Sequence, residues 1–325
     1  METMVGNSMD LLRNAQNLDD LYPSLNANRM TAGWHKLRPS LWKEPRTEFQ
    51  PRHWPYETGR LALDQASRWI GAELAERRNL LLFNPVVDND YATARTLVAA
   101  YQMVMPGEHA RAHRHTPNAL RFVIDAEPGL FTVVNGIKLP MKPGDVLLTP
   151  GGCWHSHYNE GAQNAYWIDV LDVPLVHLLE PMFFDPYPDG FQKVVEEPAQ
   201  SEFWFGREQI EQGLATAAAT RPGVRVLQLD VEKHFATMGL QFVRMDKAAT
   251  TGVTKSTASR IFSVGRGSGS AQIGGLKAEW RRGDVFVVPS WTPFEISAAG
   301  ESLLFEVNDE PVLRKLRLYR EERQA

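Results

Sequence analysis

The stretch Gly144-Asp145-Val146-Leu147-Leu148-Thr149-Pro150 returns as Gly283-Asp284-Val285-Phe286-Val287-Val288-Pro289, at a spacing of 139 residues. A Gly-Asp turn followed by a short apolar run rich in β-branched residues reads as a turn entering a buried strand. Its duplication makes the chain two copies of one β unit, which fits a length of 325 residues. Around the first copy, the runs Leu97–Met105, Leu120–Asp125, Phe131–Val134, Val146–Thr149 and Asn164–Asp169 alternate with Gly, Pro and Asn turns. A second set of strands runs from Val224 to Val307. Short, evenly spaced strands with such punctuation indicate a β-sandwich or barrel.

This gives four segments. Residues 1–78 form an N-terminal arm and helix, 79–184 a first barrel, 185–223 a Pro-rich crossover with a helix, and 224–325 a second barrel with a C-terminal helix. The arm carries Trp34, Pro39, Trp42, Pro45, Trp54 and Pro55 and is too aromatic for a disordered tail. It is expected to be extended and to pack on a domain surface or a neighbouring subunit. The periodicity predicts a helix from Leu61 to Arg77 with Ala66, Trp69, Ile70 and Leu74 on one stripe, then a strand over Asn79–Phe83. A second helix is expected over Glu208–Ala219, and a solvated one over Arg314–Arg323.

A net charge of −4 leaves no basic excess to neutralise phosphates, so nucleic acid is not the expected partner. No apolar run approaches a membrane span, and Met1 to Leu21 shows no apolar core of a secretory signal. The single cysteine, Cys153, fits a reducing cytoplasm.

His113-Arg114-His115 precedes the first Gly-Asp turn, and Trp154-His155-Ser156-His157 follows it. Alternating histidines on one strand point to the same side. A third imidazole from a strand across the barrel closes a three-nitrogen site suited to a divalent transition metal, with positions left open. His113, His115 and His155 are the candidate ligands. An ungapped register at a spacing of 140 sets Val253 against His113, Lys255 against His115 and Ile261 against Arg121. Downstream, Phe294 falls against His155 and Ile296 against His157. The second copy therefore keeps the scaffold without ligands, and one metal per chain is expected.

The His-x-His pair, the Pro143-Gly144-Asp145 turn and the later histidine resemble the cupins, and two copies resemble a bicupin. Leu21-Tyr22-Pro23, Gly33-Trp34, Pro39-Ser40-Leu41-Trp42, Glu76-Arg77-Arg78-Asn79-Leu80, Ala119-Leu120-Arg121-Phe122 and Asp169-Val170-Leu171-Asp172-Val173-Pro174-Leu175 narrow the likeness. Together with Ser290-Trp291 and Leu318-Tyr319-Arg320-Glu321-Glu322, they resemble the gentisate 1,2-dioxygenase and salicylate 1,2-dioxygenase family over residues 20–322. The resemblance implies a mainly β bicupin: two double-stranded β-helix (jelly-roll) barrels with an N-terminal arm and a few helices. It implies Fe(II), one per subunit, in a homotetramer. The implied reaction inserts both atoms of O2 between the carboxyl-bearing and ortho-hydroxyl-bearing carbons of a salicylate-type ring, giving an open-chain oxo-dienoic diacid.

Many cupins place a glutamate shortly after the His pair; here those positions are Ala119 and Leu120. Three neutral imidazoles leave a positively charged site suited to an anionic chelating substrate and dioxygen. Arg121 shares the strand parity of the ligands, and a buried guanidinium needs an anionic partner: the substrate carboxylate or an oxygenated intermediate, or else Asp169 or Glu127. His157 faces the side of His155 and suits a hydrogen bond to the ring hydroxyl or proton transfer. Asp169 would orient His157 or Arg121. Gln102 and Arg77 resemble the family's substrate contacts, with the adjacent Arg78 competing for the role. The family reads Leu-Trp-Ala-Gly-Leu-Gln where this chain has Leu97-Val98-Ala99-Ala100-Tyr101-Gln102. Val98 in place of an indole opens space, Ala100 replaces a glycine, and Asn79 is polar where smaller residues are common. A salicylate bulkier at position 5, such as 5-nitrosalicylate or 5-chlorosalicylate, therefore stands beside gentisate as a candidate. Three other readings use the same frame: a non-oxidative metal-dependent isomerase or hydrolase, a non-catalytic binding bicupin, and an oxygenase needing a co-substrate such as 2-oxoglutarate. The missing carboxylate ligand disfavours the last.

Overall fold

The structure, a computed structural model, describes residues 9–35, 40–71 and 77–323. Pro39 of the arm and Leu74 of the expected helix lie outside the described residues. The chain divides into two compact units, residues 1–46 and 47–325. In the first, helix α1 (Leu18–Ala27) begins at Asn17, whose side chain accepts the Asp20 N–H at 3.0 Å. Tyr22 stacks on His35 at 4.1 Å, and the Arg46 guanidinium lies 3.8 Å from the centre of the Trp42 ring. Tyr22 and Trp42 are thus engaged within their own unit, whereas Trp34 is 73% exposed.

The second unit opens with β1 (Arg52–Trp54) and α2 (Tyr56–Ala66). The first barrel follows: β2 (Arg78–Leu81), β3 (Val98–Val104), β4 (His109–His115), β5 (Ala119–Asp125), β6 (Leu130–Val134), β7 (Ile137–Pro140), β8 (Val146–Thr149), β9 (His155–Asn159) and β10 (Ala165–Leu171). Then come α3 (Val173–Leu179), β11 (Phe184–Pro186), β12 (Trp204–Phe205) and α4 (Arg207–Thr216). The second barrel comprises β13 (Ala219–Arg221), β14 (Val224–Gln228), β15 (Gly239–Met245), β16 (Thr254–Ser256), β17 (Arg260–Arg266), β18 (Ser268–Ile273), β19 (Leu276–Arg281), β20 (Val285–Val288), β21 (Phe294–Ala298) and β22 (Ser302–Asn308). It closes with α5 (Glu310–Lys315) and β23 (Glu321–Arg323).

Each barrel is two sheets: β12-β8-β5-β10-β3-β2 with β11-β4-β9-β6-β7, and β1-β20-β17-β22-β15-β14-β13 with β19-β18-β21-β16-β23. This is the bicupin architecture that the repeat implied. The larger sheets meet along their outer faces. Phe122 of β5 packs on Phe242 of β15 and Phe305 of β22, with ring centroids 5.9 and 5.1 Å away. Because both faces of β3 are covered, all seven of its residues are buried, and simple alternation is lost.

The repeated Gly-Asp turn is explained by what docks on it. Each barrel takes an edge strand and a helix start from the segment preceding the other barrel. Strand β1 pairs with β20 of the second barrel, and β12 pairs with β8 of the first. Asp284 accepts the Tyr56 N–H at 2.9 Å and contacts His53 Nε2 at 2.9 Å. Asp145 accepts the Arg207 N–H at 2.8 Å and the Trp204 indole N–H at 3.0 Å. Each aspartate thereby caps a helix start donated from elsewhere in the chain. Gly144 and Gly283 have φ of +91° and +87°, and a Cβ there would collide with Arg207 and Tyr56 respectively. The motif is thus a docking point for the crossing strap.

Several elements differ from expectation. The helix predicted from Leu61 is α2, which starts at Tyr56 behind Pro55 and buries Tyr56, Gly59 and Leu63; Trp69 is 73% exposed. A Cβ at Gly59 would collide with the Tyr101 ring, a requirement that a hydrophobic stripe cannot reveal. The strap, read with the arm, belongs to the barrel unit because β1 is hydrogen-bonded into it. The helix expected over Arg314–Arg323 is shorter and earlier, and β23 pairs with β16, Lys255 opposite Glu322. The second helix is α4, with Ile210 and Leu214 buried. Register also shifts. Pairing sets Ala119 against Thr149 and Arg260 against Val288, so Phe262, not Ile261, occupies the place of Arg121. Likewise Thr254 pairs with Phe294 as His113 pairs with His155. The β5–β6 connection spans residues 126–129, whereas Gly267 alone joins β17 to β18, and this shift breaks an ungapped alignment. The second barrel still presents no imidazole at these places.

Candidate active site

Strands β4 and β9 lie antiparallel with His113 opposite His155, after a register irregularity that begins at Ala110. His115, two residues on, faces the same side. One donor atom from each of the three imidazoles lies within 4.8 Å of the others. Each Nδ1–H donates to a nearby backbone carbonyl: His113 to Arg111 at 3.2 Å, His115 to Pro117 at 2.9 Å, His155 to Cys153 at 3.1 Å. A carbonyl can only accept, so each ring carries its lone pair on Nε2. Buried His155 Nε2 has no protein partner, a costly state unless a cation takes the lone pair. Burial, with Arg77 and His115 nearby, lowers the His113 pKa to about 3; burial lowers that of His115 to about 4 and that of His155 well below the usual value. All three are neutral near pH 7, the state that ligates. The group fits a divalent metal held by imidazole.

No carboxylate joins this group among the described residues, and Ala119 and Leu120 are buried on β5. Beside it, Arg121 is fully buried. Its NH1 donates to Thr149 Oγ1 at 2.5 Å, and its Nε lies 3.7 Å from Asp169 Oδ1. Of the two acids considered, Asp169 is the one that faces it. Gln102 bridges the next step: its Nε2 donates to Asp169 Oδ2 at 2.5 Å, and its Oε1 accepts from Arg77 Nε at 2.8 Å. Arg78 points elsewhere, bidentate to Glu108 at 2.6 and 2.7 Å. Arg77 thus reaches Asp169 through Gln102, and Arg121 is the guanidinium that faces the carboxylate directly.

His157 is fully buried, and neither ring nitrogen has a hydrogen-bond partner. Burial and the neighbouring Arg121 hold it neutral, so it offers one donor and one acceptor. Asp169 does not orient it: Oδ1 takes the Trp167 indole N–H at 2.7 Å and Oδ2 takes Gln102. Register puts Ala100 opposite Asp169 and Val98 opposite Leu171, both buried in the wall. Asn79 sits opposite Gln102 on edge strand β2 and is exposed, a rim position. Cys153 contributes its backbone carbonyl to His155.

Residues 100–171 match the cupin domain family. The chain is 32% identical to a 5-aminosalicylate 1,2-dioxygenase from Comamonas, over 95% of this chain and 91% of the relative. The chain belongs to the gentisate/salicylate 1,2-dioxygenase family. A gentisate 1,2-dioxygenase from Aquipseudomonas alcaligenes is 29% identical over 94% of this chain and 96% of its own. Among solved structures, a glycine-to-alanine mutant of the salicylate 1,2-dioxygenase of Pseudoaminobacter salicylatoxidans, in complex with gentisate, superposes with a TM-score of 0.88. It is 27% identical, and the match covers 96% of each chain. This family of ring-cleaving dioxygenases places the chain among the oxidoreductases.

Three residues of the site escaped sequence reasoning: Thr149, Trp167, and Phe184, whose ring stacks on His113 at 5.2 Å. Trp167 shares the parity of Asp169, and Thr149 ends the repeated strand, so both had a weak signal. Phe184 reaches the site only because β11 pairs with β4, which nothing local announces.

Proposed function

We propose that this protein is an Fe(II)-dependent dioxygenase that cleaves a salicylate-type ring between its carboxyl-bearing and hydroxyl-bearing carbons. The observation that carries the reading is the juxtaposition of three neutral imidazoles with the buried Arg121 guanidinium, whose Nε and NH2 have no hydrogen-bond partner. Iron held by His113, His115 and His155 would supply the electron-transfer chemistry that lets dioxygen react with a closed-shell ring. Arg121, with Nε and NH2 lacking hydrogen-bond partners in the protein, is the group for the substrate carboxylate or for negative charge developing on the ring. His157 holds the ring hydroxyl and moves its proton. Gln102, fixed between Arg77 and Asp169, aligns the ring edge. Val98 and Ala100 form the wall beside the ring, and Asn79 meets a substituent that reaches the rim. The product is an open-chain oxo-dienoic diacid.

Gentisate and 5-substituted salicylates, with nitro, chloro or amino groups, form the substrate class. Among the described residues no carboxylate joins the three imidazoles, and the reading needs only ring and oxygen. A cytoplasmic homotetramer with one iron per subunit completes the proposal; no described helix is long and apolar enough to cross a membrane. The test is ring loss, followed by absorbance, on Fe(II)-loaded protein with gentisate, salicylate, 5-chloro-, 5-nitro- and 5-aminosalicylate, and with a His113→Ala control. Turnover of at least one ring, abolished in the control, is expected. Iron-loaded protein that leaves every ring intact would contradict the reading.

A further inference from the structure

We infer that Trp167 is a positioning residue: its indole N–H occupies Asp169 and so keeps the Arg121 guanidinium available to the substrate. The inference rests on the ring-cleavage reading above. Trp167 is fully buried on β10, two residues before Asp169 and on the same face. Its Nε1 is 2.7 Å from Asp169 Oδ1, the same oxygen that stands 3.7 Å from Arg121 Nε. The other carboxylate oxygen is filled by Gln102. A buried carboxylate beside a buried guanidinium would ordinarily close into a pair at 2.7–2.9 Å, often bidentate. Here each oxygen already accepts a short hydrogen bond from a neutral donor, which holds the carboxylate 3.7 Å from Nε, so the attraction remains but the clamp does not form. Arg121 instead keeps Nε and NH2 without hydrogen-bond partners, an arrangement that is costly in the free protein and is relieved when an anion arrives.

Trp167 also stands beside His157, ring centroids 5.6 Å apart and planes at 50°, so the indole occupies space next to that imidazole. The Asp169–His157 pairing is absent, and His157 stays uncommitted in the free protein. Without the indole N–H, Asp169 Oδ1 would be a buried acceptor short of one donor. Arg121 Nε is the nearest replacement, and taking it would turn the guanidinium away from the pocket.

The experiment measures salicylate Kd on the Fe(II)-loaded full-length protein under argon, and KM and kcat in air, for wild type, Trp167→Phe, Trp167→His, Asp169→Ala and the Trp167→Phe/Asp169→Ala double variant. Iron content is checked for each. Trp167→Phe is expected to raise Kd and KM roughly ten-fold, with a smaller fall in kcat. In the Asp169→Ala background the same change should alter Kd by less than about two-fold, because no carboxylate is left to hold. Trp167→His, which restores a ring N–H in a smaller side chain, should bind more tightly than Trp167→Phe. An unchanged Kd in Trp167→Phe, an equal cost with and without Asp169, or a histidine no better than phenylalanine would overturn the inference. Wild type that neither binds nor consumes any ring would instead overturn the ring-cleavage reading.

Discussion

Three backbone carbonyls decide which nitrogen of each candidate-ligand imidazole faces the cavity. The histidines were legible because strand alternation needs no tertiary information. The same parity placed Arg121 on the inner face. What parity left open was the choice between partners. Arg77 and Arg78 are adjacent, and only Glu108, brought alongside from the next β-hairpin, shows which one is a structural ion pair. Asp169 could serve His157 or Arg121 in sequence, and the indole between them excludes the first. The buried histidines also give a pH prediction. Their folded pKa values lie below the usual 6.5, at about 3 for His113 and about 4 for His115. The unfolded chain therefore binds more protons than the folded one as pH falls below about 6.5, and stability falls with it. Stability from this source is complete above that pH and is lost toward pH 4. The Tm of metal-free protein should be lower at about pH 5 than at about pH 7.5. A Tm unchanged over that interval would mean these imidazoles are hydrated in solution.

The Gly-Asp turn was the strongest signal at the level of elements, but its meaning lay in a strap more than fifty residues away in sequence. Repetition announced two barrels without announcing that each is completed by the segment leading into the other. Helix α2 was misplaced for a related reason: its start is set by Pro55 and by Asp284 of the far barrel, and its buried face includes a glycine. The C-terminal segment was read as a helix because mixed charges at close spacing look amphipathic, yet β16 offers an unpaired edge that β23 fills. Asp145→Ala should remove the acceptor for the Arg207 N–H and the Trp204 indole. Both donors are only partly buried, so water can replace the carboxylate and each lost hydrogen bond costs about 0.5–1.5 kcal/mol. Denaturant unfolding should show a loss within about 1–3 kcal/mol for the two together. A loss below about 0.5 kcal/mol would show that the strap does not depend on this cap.

At the scale of the whole molecule, two barrels of one plan differ in chemistry. The first keeps imidazoles at the places where the second has Thr254, Ser256 and Phe294, and Phe262 stands where Arg121 does. In the second barrel, Phe262, Phe286, Phe294 and Ile296 form an apolar filling that stabilises the fold, and Arg260 is bound to Glu306 and Glu310. The shared outer faces, with Phe122, Phe242 and Phe305 in contact, couple the scaffold barrel to β5, the strand that carries Arg121. Among the described residues one candidate site therefore carries the proposed function, and the most direct test is oxygen stoichiometry. Iron-loaded protein, given its best ring substrate and no reductant or organic co-substrate, should consume one O2 for each ring opened. Ring opening without oxygen uptake, or uptake that requires an added reductant or 2-oxoglutarate, would contradict a single-component ring-cleaving dioxygenase.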